Sequence, residues 1–522
     1  QTYDGSIFAG SNSDSDQAAA LALDGAGNIY VTGRTYNTSN SGDDYVVIKY
    51  NSSGVQQWAK RYENPGRDDD PAGLVVDSAG NVYVAGTSCA NPTNCDYLTV
   101  KFDAADGSPQ LLATYNNSGL SQTNNAVGIG LDSAGNLYVT GTSSGASDDI
   151  ATIKYDSAGN QLRVNRYDTA NNDRAITMAT DSSGNVYIAG MTYSSGNPAI
   201  LVLKYQNSVA DGGAPQWAQV YNSIPEALPA AMTIDGSGNV YVTGVVGTST
   251  DHDFVTIKYL NNGTVAWAQV FGNAGVDDRA TGIAGDSAGN VYVAGSMGRS
   301  TGNCDFVLVR YDTAGIARNA ITYDGYTLSD TPVAIALSVD AQGDTAPYVT
   351  GISEDANNIH HITTVRYEKA QPDLTMTNLS GPTSAVVGNT INIVNTVQNI
   401  SDLANKKYAN SGPFQVSLYL APSVGGLPDL THLTLLSSRS ITSNTIPDIG
   451  LKPGDVDSNS TSVTIPSSVA EGTYVLVAVA DSGGAVTEAD ETNNTLSVSG
   501  TIAIQGVLPD LVVSSVTGPT TA

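Results

Sequence analysis

Short stretches in which apolar and polar residues alternate fill most of the chain, and turn-forming residues separate them. A period of two is typical of β-strands, and enrichment in valine, isoleucine, threonine and tyrosine supports the same assignment. Segments such as NVYVAG and DFVTIKY show the pattern clearly. No helical periodicity stands out. The sequence therefore predicts an all-β protein.

One string, Asp-x-x-Gly-Asn-x-Tyr-Val-x-Gly, recurs every 49 to 55 residues in the first two thirds of the chain. Its copies begin at Asp24, Asp77, Asp132, Asp181, Asp235 and Asp286, and a stretched copy begins at Asp340. Aspartate that bonds its own backbone and glycine with positive φ make the string a turn. With the flanking alternating segments, each repeat is expected to form four strands, which is typical of a propeller blade.

The repeats are expected to close into a ring. The seventh copy ends at Tyr367 without a fourth strand, because Pro372 begins a different kind of sequence. The first five residues (QTYDG) resemble residues 269–273 (QVFGN), which end an earlier fourth strand. We therefore expect the strand around Tyr3 to complete the last blade. The prediction is a seven-bladed β-propeller over residues 1–369, closed by the N-terminal strand, and not an open solenoid.

These repeats resemble a known bacterial family, the SBBP β-propeller repeat. The resemblance lies in the Asp-x-x-Gly-Asn-x-Tyr-Val-x-Gly strings, the Asp-Phe-Val-x-x-Lys strands and the fourth strands that end in tyrosine, over roughly residues 1–369. It implies a secreted or surface protein and does not imply one particular reaction.

A second kind of sequence begins after Tyr367. About seven alternating strands in some 130 residues predict an Ig-like β-sandwich over residues 370–506. Pro372-Asp373-Leu374 at its start and the EADETNN run at residues 488–494 resemble the CARDB domain over about residues 372–505. That resemblance implies an Ig-like module associated with adhesion.

The last segment, residues 507–522, repeats the opening of the sandwich. Pro509 lies 137 residues after Pro372, and the segment reads as the first strand of a second Ig-like copy. Either the rest of that copy is truncated or disordered, or the strand is donated to a neighbouring molecule. For donation, the candidate residues are Leu511, Val512 and Val513.

Charge excludes several classes of partner. The chain has 22 Lys and Arg against 50 Asp and Glu, giving a net charge of −28. Nucleic acid and anionic lipid surfaces need basic clusters, and none occurs. No apolar run is long enough for a membrane helix, and no basic-then-apolar pattern typical of a signal peptide is seen. The start at Gln1 fits a mature secreted form or a trimmed one, so an extracellular or cell-surface location is expected.

Alignment of the repeats shows a ring of mostly acidic positions eight residues before the turn aspartate. The ring contains Asp16, Asp69, Asn124, Asp173, Ala227, Asp278 and, approximately, Asp330. Asp16, Asp69, Asp173, Asp278 and Asp330 are candidate ligands of Ca²⁺, which takes several oxygen ligands. Alternatively, each caps local backbone amides or bonds the next blade. Arg174 and Arg279 directly follow two of them and would partly neutralise a cation site.

A second ring opens the third strands, followed by a row of cations. The acids are Asp44, Asp96, Asp149, Asp253 and Asp305, and the cations are Lys49, Lys101, Lys154, Lys204, Lys258, Arg310 and Arg366. They form either a ligand surface on one face or salt bridges between blades and turn caps. We favour the second interpretation, because near-identical copies suit architecture better than one active site.

The remaining candidates are few. Cys89 and Cys95 are expected to close a short loop as a disulfide, with Cys304 left as a free thiol or an intermolecular link. Trp58, Trp217 and Trp267 recur at one position and suit packing better than a sugar platform. His360 and His361 form either a metal pair or a solvated loop. No haem is expected, because no haem-attachment motif occurs, and no nucleotide cofactor is expected either.

These patterns predict an extracellular, non-enzymatic structural or adhesion protein, with a propeller head on Ig-like modules. A surface, filament or sheath subunit is expected, which associates with itself or with other surface proteins or glycans through strand edges and loops. The alternative is a secreted carbohydrate-binding or carbohydrate-active propeller. Glu226, beside Ala227 in the fifth repeat, breaks the ring symmetry and favours that alternative.

Overall fold

The computed structural model is described at residues 17–37, 42–117, 123–194, 196–222, 225–248, 251–298, 303–325, 328–339, 345–355, 359–367, 373–400, 414–441, 455–486, 488 and 492–506. The chain divides into two compact units, Gln1–Val339 with Pro347–Tyr367, and Asp340–Ala346 with Glu368–Ala522. Within the described residues the secondary structure consists of strands, and no helix is long and apolar enough to cross a membrane. The prediction of an all-β chain is confirmed.

The first unit contains seven successive antiparallel sheets, which we call blades one to seven. Blade one has β1 (Gln17–Leu23), β2 (Ile29–Asn37), β3 (Gly42–Tyr50) and β4 (Gln56–Tyr62). Blade two has β5 (Asp68–Val76), β6 (Val82–Asn91), β7 (Asn94–Phe102) and β8 (Pro109–Tyr115). Blade three has β9 (Asn124–Leu131), β10 (Leu137–Ser144), β11 (Asp148–Tyr155) and β12 (Gln161–Tyr167).

The remaining blades follow the same order. Blade four has β13 (Asp173–Thr180), β14 (Val186–Ser194), β15 (Asn197–Tyr205) and β16 (Trp217–Tyr221). Blade five has β17 (Glu226–Ile234), β18 (Val240–Thr248), β19 (Asp251–Tyr259) and β20 (Val265–Phe271). Blade six has β21 (Arg279–Gly285), β22 (Val291–Gly298), β23 (Cys304–Tyr311) and β24 (Ala317–Tyr323). Blade seven has three described strands, β25 (Asp330–Val339), β26 (Thr345–Glu354) and β27 (His360–Arg366).

Successive blades pack face to face. The first strands of the blades contact one another in sequence, from β1 to β25. Between blades one and two the core includes Tyr30, Tyr45, Leu98 and Val100, all at most 1% exposed. Alternation along each strand sends one face to each neighbouring blade, so both faces of an inner blade are buried. Sheets that pack in this order have the arrangement of propeller blades.

The two terminal blades each leave apolar side chains exposed. In β1, Leu21 and Leu23 are 66% and 63% exposed. In blade seven, Val333 is 63% and Ile362 is 89% exposed. Closure of the ring between blades seven and one, and so the seven-bladed count, stays a prediction. Tyr3, expected to complete blade seven, lies outside the described residues.

The second unit is a two-sheet sandwich. One sheet pairs β28 (Leu374–Ser380), β30 (Thr390–Asn399) and β34 (Val456–Thr464). The other orders β29 (Ser384–Val386), β37 (Ile502–Gln505), β35 (Gly472–Val479), β31 (Phe414–Val424) and β32 (Leu427–Pro428), with β33 (Thr434–Ile441) on β31 and β36 (Thr495–Ser497) on β35. Its core includes Leu374, Ile393, Leu420, Leu476 and Ile504. The expected Ig-like sandwich is present.

Candidate functional site

Each blade from one to six carries a turn built from the recurring string. In the first copy, Asp24 Oδ1 accepts hydrogen bonds from the backbone amides of Ala26 and Asn28, both at 2.9 Å. Its Oδ2 accepts from Asn28 Nδ2 at 2.7 Å and from the Tyr30 hydroxyl at 3.0 Å. The bond from Asn28 contributes most to lowering the pKa of Asp24 to about 2. Equivalent bonds form at Asp77, Asp132, Asp181, Asp235 and Asp286.

The cations of the third strands lie over the tyrosines of these turns. Lys49 Nζ is 5.1 Å from the centre of the Tyr30 ring, and the two residues pair across β2 and β3. Such a cation meets the negative face of the ring. The other pairs are Lys101–Tyr83, Lys154–Tyr138, Lys204–Tyr187, Lys258–Tyr241, Arg310–Tyr292 and Arg366–Tyr348. Sequence reasoning found the row of cations but missed the tyrosines. The pairing of the second and third strands of each blade could have revealed these contacts.

The same cations also link neighbouring blades. Lys154 Nζ donates to Asn207 Oδ1 of blade four at 2.6 Å. Lys204 Nζ donates in the same way to Asn261 Oδ1 of blade five. The row therefore takes part in contacts between blades, here through hydrogen bonds to asparagine side chains.

The four described acids of the first ring are fully buried. Asp69, Asp173, Asp278 and Asp330 are each 0% exposed and lie at the start of the first strand of a blade. Each accepts a hydrogen bond from a residue four or five positions earlier. The donors, in order, are Asn64 Nδ2 at 3.3 Å, the Thr169 amide at 3.0 Å, the Asn273 amide at 2.7 Å and the Gly325 amide at 2.7 Å. The ring acids thus hold the loops that join successive blades. Asp16 lies outside the described residues.

The two acid rings meet at the junctions between blades. Burial is the main cause that raises the pKa of Asp69 to about 7, and Asp44 of blade one adds to it. Burial also raises the pKa of Asp278, despite bonds from two backbone amides, and Asp253 of blade five acts in the same direction. Arg61 Nε lies 3.6 Å from Asp44 Oδ2 and supplies a compensating charge at the first junction. Sequence reasoning placed the rings separately, because it could not see which blades adjoin.

One junction brings three carboxylates together. One oxygen from each of Asp305, Asp324 and Asp330 lies within 4.8 Å of the others. Asp305 belongs to the second predicted ring and Asp330 to the first, while Asp324 was not singled out from the sequence. Oxygen ligands at such spacing suit a hard cation such as Ca²⁺. Calcium binding by the ring acids stays a prediction.

Blade five departs from the repeat at Glu226 and His252. The buried His252 side chain has Nε2 2.6 Å from Glu226 Oε1 and Nδ1 2.6 Å from Asp277 Oδ1. Arg279 Nε donates to Asp277 Oδ2 at 2.6 Å. Although burial opposes it, the bonds from Arg279 and His252 hold the pKa of Asp277 below its ordinary value. Sequence reasoning singled out Glu226 but missed His252, which stands where blade three has Asp148.

The cysteines occupy equivalent edges of blades two and six. Cys89 and Cys95 are joined by a disulfide across the β6–β7 hairpin, with an S–S distance of 2.08 Å. Cys304, at the start of β23, is a free thiol in the described residues. Burial raises the pKa of the Cys304 thiol, and Asp277 and Asp278 add to the effect. A protonated thiol is a poor nucleophile, so this geometry does not favour cysteine chemistry.

The tryptophans and the paired histidines have local contacts. Trp58 packs edge-on to Tyr30, with ring centres 6.4 Å apart, and Trp217 stacks on Tyr259 at 6.2 Å. The first contact lies within blade one and the second joins blades four and five, so both suit packing. His360 Nε2 lies 3.9 Å from Glu354, on the adjacent strand of blade seven.

In the sandwich, a polar clamp holds the beginning of β28. The buried Glu488 accepts a hydrogen bond from the Leu374 amide at Oε2, and Asn494 Nδ2 donates to its Oε1 at 3.0 Å. Asn493 Nδ2 donates to Asp373 Oδ1 at 2.6 Å. These are the residues on which the sequence resemblance to CARDB depends. Leu511, Val512 and Val513 lie outside the described residues.

Comparison with family models agrees with this geometry. Residues 371–498 match the CARDB model, and residues 9–39, 57–92 and 266–296 match the SBBP β-propeller repeat. The chain carries SBBP repeats followed by a CARDB domain. Both resemblances expected from the sequence are confirmed. A comparison with curated proteins found no match.

Similar solved structures align either with about a quarter of the chain or with about two thirds of it. The CARDB domain of PF1109 from Pyrococcus furiosus, in complex with di-metal ions, is 19% identical and aligns with 26% of this chain and 90% of its own, at a TM-score of 0.18. The polysaccharide lyase PL25 ulvan lyase is 12% identical over 68% of this chain and 94% of its own, at 0.41. Sqt1 from Chaetomium thermophilum is 11% identical over 64% and 80%, at 0.43. Such distant likenesses carry no information on function.

Proposed function

We propose that the chain is an extracellular structural or adhesion protein and a subunit of a cell surface, filament or sheath. SBBP propeller repeats followed by a CARDB domain fit a surface or adhesion-like protein. In this proposal the propeller presents its loops, and the sandwich links one copy to the next. The partners are other copies of the chain, other surface proteins or glycans.

The supporting observation is that the polar side chains repeated in the blades build the scaffold. The turn aspartates accept bonds from their own turns, as Asp24 does. The third-strand cations lie over tyrosines, as Lys49 lies over Tyr30. The buried ring acids, such as Asp173, hold the loops between blades. Near-equivalent copies of one group suit a scaffold better than a single reaction centre, and we therefore propose a non-enzymatic role.

Electron microscopy of the full chain tests the proposal. We expect extended assemblies to appear as the protein concentration rises, and analytical ultracentrifugation should show a matching growth in mass. Antibody labelling of intact source cells should place the protein outside the cell. Isolated monomers at every concentration, with and without Ca²⁺, together with labelling only of broken cells, would contradict the proposal.

Calcium at the blade junctions is part of this proposal. A cation bound only by the folded state stabilises it by mass action, so a chelator should lower the melting temperature by several degrees. Asp330→Asn should reduce that difference, because Asp330 is buried and belongs to the three-carboxylate cluster. The exposed Asp70 gives the matched control, Asp70→Asn, which should respond like the unaltered chain. Equal melting with and without the chelator would remove calcium from the proposal.

The second candidate is a carbohydrate-active or carbohydrate-binding protein, and the cluster of Glu226, His252 and Asp277 favours it. A histidine between two carboxylates is the kind of group that moves protons in catalysis. Incubation with a panel of polysaccharides, followed by assay of new chain ends, tests this candidate. Cleavage that disappears in Glu226→Gln would establish the enzyme, whereas no cleavage of any polysaccharide would leave the structural role.

A further inference from the structure

The first strand of the sandwich, β28, has a defined pattern of buried and exposed positions. Leu374, Met376 and Leu379 point into the core and are 0%, 4% and 9% exposed. Thr377 and Asn378, between the last two, are exposed. A shift in the β28–β30 register between Met376 and Asn378 produces this spacing.

In the sequence, residues 509–516 repeat the apolar positions of β28. Pro509-Asp510-Leu511 repeats Pro372-Asp373-Leu374, and the alignment continues without a gap. In this alignment Leu511, Val513 and Val516 correspond to Leu374, Met376 and Leu379, while Ser514 and Ser515 correspond to Thr377 and Asn378. The segment therefore has an aspartate and apolar residues at the same spacing as β28.

The clamp of the same copy is out of reach of this segment. The last residues of β37 lie beside the first residues of β35, because Ile504 pairs with Gly472. The clamp lies at the other end, where the Ala480 amide donates to the Asn494 carbonyl. The eight residue steps from Gly472 to Ala480 span about 26 Å in an extended strand. The six steps from Ile504 to Asp510 reach at most about 21 Å, and β37 runs antiparallel to β35, away from the clamp.

We propose that residues 509–516 of one copy take the place of β28 in the sandwich of a second copy. Asp510 then accepts the bond from Asn493, and the Leu511 amide donates to Glu488. This inference rests on the self-association in the proposed function and names its contact. Insertion of a segment of one copy into the next is a head-to-tail contact, and such a contact extends into a filament where it does not close into a ring.

The exchange depends on concentration. Among the described strands, β28 pairs in its sheet with β30 alone, so its replacement breaks one set of inter-strand hydrogen bonds. Val513 and Val516 are smaller than Met376 and Leu379 and fill the core less well, so β28 prevails in dilute solution. Crowding of copies on a surface favours the exchange.

Sedimentation of the full chain and three variants tests the contact. Leu511→Asp places a charge at a core position and should weaken self-association at least tenfold, and Asp510→Ala should weaken it severalfold. Ser515→Ala, at an exposed position, is the matched control and should stay within twofold. Assemblies that form equally in all four proteins would overturn strand exchange but leave the structural function. A chain that never assembles would overturn both.

A labelled peptide of residues 507–522 separates this contact from pairing elsewhere. Its binding is measured on the full chain carrying Leu511→Asp, whose own segment no longer competes. Adding Asp373→Ala removes the bond between β28 and Asn493 and should raise peptide affinity at least threefold, with circular dichroism checking that the chain stays folded. Unchanged affinity in a folded Asp373→Ala protein would overturn the proposal.

Discussion

At Asp69 a carboxyl group is fully buried at a blade junction, and its pKa is raised to about 7, chiefly by burial. The folded chain therefore holds a proton there that the unfolded chain releases above about pH 4. The free energy of unfolding falls as pH rises from about 4 to 7, by at most about 4 kcal/mol for this group. Asp69→Asn removes the ionisation, so in the presence of a chelator it should raise the melting temperature at pH 8 and have little effect at pH 4.

Two residues of the chain provide controls for that experiment. Asn124 is the natural occupant of the same position in blade three and is equally buried, so the amide fits the site. Asp70 is the neighbouring acid with an exposed side chain, and Asp70→Asn should leave the pH dependence unchanged. Parallel melting curves of Asp69→Asn and the unaltered chain at every pH would contradict the prediction.

The sequence identified most residues of the junctions but not their contacts. Alignment of the repeats was enough to find Asp69, Asp278 and the row of lysines. It could not show that Asp278 lies near Asp253, because that contact depends on packing between blades. Asp324 and His252 escaped for another reason: the residue at each of these positions varies from blade to blade, and repeat alignment favours the positions that stay the same.

Among the strands, the glycine that ends each string has a structural cause. The first strands carry a register shift, as between Pro229 and Ala231 in β17. The shift brings the backbone of β17 against Gly244 in β18, where an added Cβ would lie 2.0 Å from the Leu228 carbonyl oxygen. The four strands and their turn followed from the alternation, but this bulge did not, since one extra residue hardly changes the pattern.

Gly244→Ala should therefore destabilise the propeller. Backbone atoms have little room to shift, so we expect a loss of about 2–4 kcal/mol in the free energy of unfolding, measured by urea denaturation. Gly236, in the turn of the same blade, has open space around its Cβ position, and Gly236→Ala is the matched control. Similar midpoints for the two variants would show that the close approach does not constrain the strand.

Over the whole molecule, the net charge of −28 has an architectural origin. Much of it consists of aspartates repeated in turns and at strand starts, where they accept hydrogen bonds from the backbone. A buried acid such as Asp173 holds the loop at Thr169 by accepting hydrogen bonds from it. The charge therefore reflects the repetition of one unit more than the nature of a partner.

The ends of the propeller give the last prediction. Blade seven has three described strands, and Ile362 of β27 and Leu21 of β1 are largely exposed. If the segment around Tyr3 pairs with β27 and closes the ring, deleting residues 1–16 leaves a strand edge open and apolar faces uncovered. Calorimetry should then show a melting temperature lower by several degrees, with aggregation on heating. Deleting residues 507–522 is the control and should not change melting in dilute solution. Equal melting of both deletions and the full chain would mean that the N-terminal segment does not close the ring.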